Sequence, residues 1–211
     1  MTQFTGVRVF FSKTGNAKYI SHLDLVRTFE RAIKRSRLPV WITEGFNPHI
    51  YMTFALPLAL GIESSCESLE LRLISDVDFA EVTGRLNASM PSGLSVVRTA
   101  KPVRHSNDIA RASYEIRTDN ADDQKTIGEF LSSPNIVITK KSKTKVRKLD
   151  VAAEGLLKWE QNKSLLTLPA GGTFNINPWN VLCGDVFAAF ESMQFKVSRA
   201  AILVENGEVF V

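Results

Sequence analysis

Cysteine is nearly absent from this chain: its 211 residues include only Cys66 and Cys183, far apart in sequence. That excludes an iron–sulfur site with three or four local cysteines and a cysteine-only zinc site. The N-terminus, MTQFTGVRVFFSKTG, lacks the basic-then-apolar design of a secretion signal, so two reduced, buried thiols are expected rather than a disulfide. Long apolar runs are missing as well, none approaching the roughly 18 residues a membrane span needs. There is no dinucleotide fingerprint, Walker loop, nucleophile elbow or kinase signature set. Gly171-Gly172 after Pro169 reads as a turn, not a phosphate cradle. The expectation is a soluble cytoplasmic protein with no membrane association, no cofactor and no metal.

What is present is an ordinary globular mixture, 44% hydrophobic and 23% charged, able to bury a core. The net charge of +4, with a sequence pI near 9.1, is compatible with an anionic partner.

Periodicity gives the elements. Val7–Phe11 reads as a strand. Ser21 is an N-cap with Asp24 three residues on, a capping-box pattern, and Leu25, Phe29, Ala32 and Ile33 form the buried stripe of a helix that Pro39 stops. Val40–Thr43 is expected as the second strand, with Tyr51–Ala55 as an irregular continuation beyond the EGFNPH turn. Ser68–Ile74 alternates cleanly and is the third strand. Val77–Ser89 is a helix and Leu94–Ala100 a fourth strand. The order is β-α-β-β-α-β, the split-βαβ or ferredoxin-like arrangement.

In the second half, strands are expected at Ser113–Thr118, Ile136–Lys140, Lys145–Val151, Leu156–Glu160 and Leu165–Leu168, and a helix at Ala121–Ser132. Asn177-Pro178 starts a helix running to about Ser192. Phe195–Val204 and Glu208–Val211 close as strands around the Asn206–Gly207 turn. The fold class is therefore α+β: two ferredoxin-like modules in tandem, residues 1–102 and 112–211, joined by a polar linker at 103–111, the second module carrying an extra β-hairpin.

Ser21-His22-Leu23-Asp24, Arg27, Glu30-Arg31-Ala32, Gly45-Phe46-Asn47-Pro48-His49 and Phe54-Ala55-Leu56-Pro57-Leu58 follow in order over some forty residues. On these motifs the chain resembles a bacterial family of radical-SAM-associated proteins of unknown function, found as separate chains or fused behind a radical-SAM module. The family carries no cluster cysteines of its own, and its genes lie beside a radical-SAM protein and near ribonuclease and ribosomal-protein genes. The resemblance implies a radical-SAM protein as partner and a role in RNA modification or ribosome-related metabolism.

Candidate ligand contacts are Ser21, His22, Asp24, Arg27, Glu44, Asn47 and His49. A helix N-terminus favours anions, and His22 at the first helical position could act there as base, acid or ligand. The capping pattern alone accounts for Asp24, and a stiff turn for Asn47-Pro48-His49. If Val40–Thr43 is the second strand, the EGFNPH loop emerges beside Ser21–Asp24 and the two histidines share a pocket. They could then serve as general acid and base in RNA cleavage through the 2′-hydroxyl. If Tyr51–Ala55 is that strand, His49 lies at the opposite end of the sheet.

Nucleic-acid contacts are expected from Arg31, Lys34 and Arg35 on the first helix, with Arg27 and Arg37 nearby. They are also expected from Lys141, Lys143, Lys145 and Arg147, which alternate and would make one cationic row on a strand. Solvated lysines guarding an edge strand are the ordinary alternative. Of the crowded N-terminal aromatics Phe10, Phe11, Tyr19, Trp41, Phe46 and Tyr51, most are expected in the core, with Phe46 exposed; no RNP1 motif accompanies them.

The first functional expectation is an RNA-binding accessory protein for a radical-SAM enzyme. A second is a metal-independent endoribonuclease using His22 or His49, since paired ferredoxin-like modules also resemble CRISPR repeat-processing enzymes. The chain lacks their glycine-rich C-terminal loop. A third is a protein–protein adaptor with a small-ligand pocket.

Overall fold

The computed structural model describes residues 4–141, 146–172, 174–183 and 193–211. The fold is α+β, with four α-helices and ten strands among the described residues. The chain divides into two compact units, Met1–Ser106 with Val211, and Asn107–Phe210. No helix among the described residues is long and apolar enough to cross a membrane.

The first unit runs β1 (Thr5–Lys13), α1 (His22–Ser36), β2 (Met52–Phe54), β3 (Glu63–Leu73), α2 (Phe79–Asn87) and β4 (Leu94–Ala100). Its strands lie in the order β4-β1-β3-β2, all antiparallel. The β1–β3 register sets Val7 against Leu71 and Val9 against Leu69. Because side chains alternate along a strand, this register sends Val7, Val9, Phe11, Leu69, Leu71 and Leu73 to one face, where they join Leu25, Phe29 and Ile33 of α1 and Val82 and Leu86 of α2. Phe11, Phe29 and Phe54 meet edge to face, with ring centroids 4.8–5.9 Å apart.

The stripe Leu25, Phe29, Ala32 and Ile33 is buried as its spacing predicts. The helix ends at Ser36, three residues before Pro39, because Arg37 turns left-handed (φ 52°). The second strand is the main departure. Val40–Thr43 contributes only isolated bridges, Val40 to Leu73 and Ile42 to Ile50, and the paired strand is Met52–Phe54. Local β-branched character favours Val40–Thr43, but long-range pairing decides strands. Trp41 accepts from Tyr51 N–H, and Thr43 N–H donates to His49, so residues 41–51 double back on themselves instead of running on along β3.

The second unit runs β5 (Ile109–Thr118), α3 (Ala121–Leu131), β6 (Val137–Lys141), β7 (Val146–Asp150), β8 (Lys158–Glu160), β9 (Leu165–Pro169), α4 (Pro178–Leu182) and β10 (Phe195–Val204). Its main strands are ordered β10-β5-β9-β8, and β6 and β7 form a separate two-stranded ribbon. Setting the ribbon aside, the spatial order is again fourth, first, third, second. Asn177 caps α4 with Pro178 at its first turn, as expected, and the rest of that expected helix lies outside the described residues. Glu208–Val211 returns through the Asn206–Gly207 turn with one bridge, Leu203 to Val209, rather than as a full strand.

Gly93 couples β4 to the turn that precedes α1. Its carbonyl accepts from Thr14 N–H at 2.8 Å, and its φ is +85°. A Cβ there would stand 2.7 Å from the Thr14 carbonyl oxygen and 2.8 Å from Ala17 Cβ. Gly155 has a similar φ of +65° but open space around it. Gly93→Ala therefore suffers both strain and clash, and Gly155→Ala strain alone. Urea unfolding should show a loss of at least about 2 kcal/mol for the first and about 1 kcal/mol for the second; equal losses would mean that the contact with Thr14 and Ala17 relaxes freely.

Candidate functional site

The residues singled out in the N-terminal half fall into two separate groups. The first is the start of α1. Buried Lys13, at the end of β1, donates to the Ile20 carbonyl at 3.1 Å, and Gly61 N–H donates to Lys18 at 2.9 Å, fixing the approach to the helix. Ser21 is the N-cap: its hydroxyl accepts from Asp24 N–H at 3.1 Å and donates to Asp24 Oδ2 at 2.7 Å. The Asp24 carboxylate thus takes the Ser21 hydroxyl, whereas a capping box would turn it back to the Ser21 backbone N–H. Its other oxygen faces Arg27 at 3.3 Å. The exposed His22 ring lies edge-on to Phe54, centroids 5.2 Å apart.

The second group is the Thr43–His49 loop. Thr43 Oγ1 accepts from His49 N–H at 3.1 Å and donates to the His49 carbonyl at 3.2 Å. His49 Nδ1 stands 2.9 Å from the Asn47 carbonyl oxygen, which can only accept. The Nδ1–H tautomer is therefore selected, leaving Nε2 as the ring's basic nitrogen. Glu44, Gly45 and Phe46 form the exposed tip.

These groups do not share a pocket. Strand β2 places Met52 opposite Leu71 and Phe54 opposite Leu69. His22 sits at the Phe54 end, and His49 precedes Phe54 by five residues of extended chain, roughly 15 Å. Ser21, His22, Asp24 and Arg27 stand at one end of β2, and Glu44, Asn47 and His49 at the other. The shared site expected from a Val40–Thr43 strand is thereby corrected. The second unit has a cleft of about 370 Å³ lined by Asp108, Phe174 and Glu205, and the first has one of about 390 Å³ lined by Thr5 and Asp76–Phe79. Neither is lined by Ser21–His49. No three His, Cys, Asp or Glu side chains gather as a metal-ligand group among the described residues.

The basic candidates divide too. On α1, Arg27, Arg31 and Lys34 are exposed at helical spacing, while Arg35 is tied to the Ser89 carbonyl at 2.6 Å. In the second unit, six of the nine residues 140–148 are Lys or Arg and none is acidic. Strands β6 and β7 pair Lys140 with Arg147 and Lys141 with Val146. Directly opposed residues share a face, so positions 141 and 147 fall on opposite faces of the ribbon and the single row is corrected. Alternation along one strand holds only up to a reversal of the chain; Lys143 and Lys145 lie outside the described residues. Arg147 shares its face with Lys140 and, toward the base, with buried Ile138 and Leu149. Lys140 reaches the Asn175 carbonyl at 3.1 Å and the Phe174 ring at 4.3 Å. Asp150 closes the ribbon's base: its Oδ1 accepts from the N–H groups of Ile136, Ala152 and Ala153 at 3.0–3.2 Å. The bonds from Ala153, Ile136 and Ala152 hold its carboxyl below the usual range.

Sequence reasoning missed the surroundings of Arg72, whose guanidinium faces Phe4, Trp41 and Tyr51. The signal was the alternation of Ser68–Ile74, which puts Arg72 opposite the leucine face, but Trp41 and Tyr51 join it only through the doubled-back 41–51 segment.

Two outcomes follow for the first unit. The Ser21 hydroxyl, then Arg27 and Arg31, hold the Asp24 carboxyl below its usual range. A depressed folded pKa means the ionised form supports the fold above the ordinary carboxylate pKa, and that support is lost as pH falls through the lowered value. Ser21→Ala should raise the Asp24 pKa in an NMR titration and remove about 1 kcal/mol of capping at neutral pH; an unmoved pKa would mean Arg27 and Arg31 suffice. For His49, ring-nitrogen NMR should find the proton on Nδ1 when the ring is neutral, and a proton on Nε2 would contradict the bond to Asn47.

No curated protein matches this chain. A family model described as an uncharacterized protein conserved in bacteria, DUF2344, matches residues 7–178, which include the α1 start, the Thr43–His49 loop, Arg72 and the β6–β7 ribbon. The chain belongs to this bacterial family of unknown function.

Proposed function

We propose that this protein is an RNA-binding accessory subunit that works beside a radical-SAM enzyme, built as two ferredoxin-like modules, the second bearing the basic ribbon as its added hairpin. The observation that carries the reading is the pairing of Lys140 directly opposite Arg147 in a segment with no acidic residue. Like charges directly opposed across strands destabilise a sheet. Phosphate neutralises such a pair, and a two-stranded ribbon tracks a nucleic-acid backbone at a spacing of a few ångströms. The exposed Arg27, Arg31 and Lys34 of α1 add a second cationic surface. The radical-SAM partner rests on the resemblance carried by the SHLD and GFNPH motifs.

With His22 and His49 at opposite ends of β2, the acid/base endoribonuclease reading rests on His22 or His49 singly rather than on a shared pair. The adaptor reading asks for an apolar pocket among the motif residues, whose polar members Ser21, His22, Asp24, Asn47 and His49 are exposed while Leu56 and Leu58 are buried.

Binding of unstructured RNA followed against salt is the test. The affinity should fall linearly on logarithmic axes, and Lys140→Ala combined with Arg147→Ala should flatten the slope by about 1.4, two single-strand phosphate contacts. Binding that ignores salt, or a slope unchanged by the double substitution, removes the ribbon from the reading. RNA cleavage abolished by His22→Ala or His49→Ala would replace the accessory role with an enzymatic one.

A further inference from the structure

The face of the first unit's sheet that turns away from the helices carries a cluster whose chemistry is unlike the rest of the surface. Strand parity places Phe4, Arg8 and Phe10 of the β1 run and Glu70 and Arg72 of β3 on that face, opposite Val7, Val9, Leu69 and Leu71. Val40, Ile50 and Met52 pack on the core, so the intervening Trp41 and Tyr51 emerge on the far face as well. There the Arg72 guanidinium carbon lies 4.2 Å from the Tyr51 ring centroid, 5.2 Å from Trp41 and 5.9 Å from Phe4. Phe4 and Trp41 are 4.7 Å apart and Trp41 and Tyr51 5.5 Å, with interplanar tilts of 41° and 38°.

We infer that Phe4, Trp41, Tyr51 and Arg72 form a stacking platform for unpaired RNA bases. This rests on the RNA-binding reading above and names the substrate class: single-stranded rather than duplex RNA.

Four features carry it. All four side chains are half-buried, so each is held by its neighbours and still open to solvent. The rings are tilted to one another rather than stacked face to face, so apart from the Tyr51 face that Arg72 covers they are not paired ring on ring. Arg72 supplies positive charge and a planar group at the same spot, the combination on which splayed bases stack and beside which their phosphates are attracted. Finally, the neighbouring part of the face is closed: Arg8 is 1% exposed, bonded to Glu70 at 2.5 Å, to the Arg104 carbonyl and to the Val211 carbonyl at 2.8 Å. A ligand on this face is therefore directed to the Phe4–Trp41 end. A duplex keeps its base faces inside its own stack and offers these rings nothing to stack on. A purely structural role, pinning residues 41–51 to β3, predicts that RNA leaves Trp41 undisturbed.

The full chain with Trp159→Phe and Trp179→Phe retains Trp41 as its one tryptophan. Its fluorescence is titrated with an oligouridylate of about 12 nucleotides, within single-strand site sizes, and with an RNA duplex of the same length. The expected result is saturable quenching by the single strand and none by the duplex. Tyr51→Leu should weaken single-strand binding by roughly 5- to 150-fold, the range for one lost base–ring stack, without changing the salt slope, and Tyr51→Phe should restore it. Should Tyr51→Leu fail to fold, Phe4→Leu carries the same comparison. Tight single-strand binding that leaves Trp41 silent and survives these substitutions overturns the platform while leaving the RNA-binding reading intact. Absence of binding to either RNA overturns both. A Trp41 change that grows with protein concentration alone assigns the face to a second copy of the chain and likewise overturns the platform.

Discussion

The register between β1 and β3 is the constraint from which the first unit follows. With Val9 opposite Leu69 and Val7 opposite Leu71, the side chains of Val7, Val9, Phe11, Leu69, Leu71 and Leu73 reach the helices, and Arg8 and Arg72 reach the other side. A slip of one residue would exchange the faces and drive Arg8 and Arg72 into the core, which burial forbids for unpaired cations. The same register fixes direction. Lys13 ends β1 beside the start of α1, so Ser21 and His22 must appear at that end, and β2, antiparallel to β3, must carry its entry loop to the other. The separation of His22 from His49 is thus a consequence of sheet topology rather than of loop detail.

The far face is where this constraint becomes energetically demanding. Arg8 has lost nearly all contact with water and is held by a carboxylate and two backbone carbonyls. Only the arginine end of this pair is buried, Glu70 remaining partly exposed, so removing the carboxylate leaves the guanidinium to its backbone carbonyls. The cation is therefore better understood as a fastener for the residues around Arg104 and Val211 than as a ligand contact. Arg72, two strand positions beyond Glu70 on the same face, is treated differently. It is surrounded by polarizable rings that hold its charge without neutralising it, so it keeps electrostatic reach toward an anion. Two arginines on one face, one sealed and one open, mark where that face is structural and where it is available.

Local rules made much of this legible in the sequence. The α1 stripe, its Ser21 cap, the Asn177-Pro178 helix start and the order of strands and helices in the first half all depend on spacing within one segment, and they stand as read. What was not legible depends on partners far away. Val40–Thr43 has the composition of a strand, but the Tyr51–Trp41 and Thr43–His49 bonds fold it onto its own loop, and β2 begins only at Met52. Trp41 and Tyr51 read as core because they are aromatic; their true face follows from the parity of Val40, Ile50 and Met52, known only once pairing is known. The cationic row failed for a related reason. Every second residue shares a face only while the strand continues, and β6 and β7 are two antiparallel strands in which position 140, not 141, stands opposite Arg147.

The two surfaces brought out by these corrections do different physical work. A paired lysine and arginine on a ribbon attract any polyanion, and the attraction is released into counterions, so it weakens steeply with salt and ignores sequence. Rings around a guanidinium reward an exposed base face, which only unpaired nucleotides present, and the ring–base contact itself releases no counterions. Neither alone distinguishes a structured RNA with an open loop from bulk polyanion or from free nucleotides. Phosphate attraction without stacking would hold duplex and single strand alike, and stacking without phosphate attraction would be too weak to hold either. Under the proposed role, recognition of an unpaired region within a larger RNA calls for both terms. Under the proposed RNA-binding role, the aromatic cluster around Arg72 supplies the stacking term and the Lys140–Arg147 pair the phosphate term, each on a face set by strand pairing.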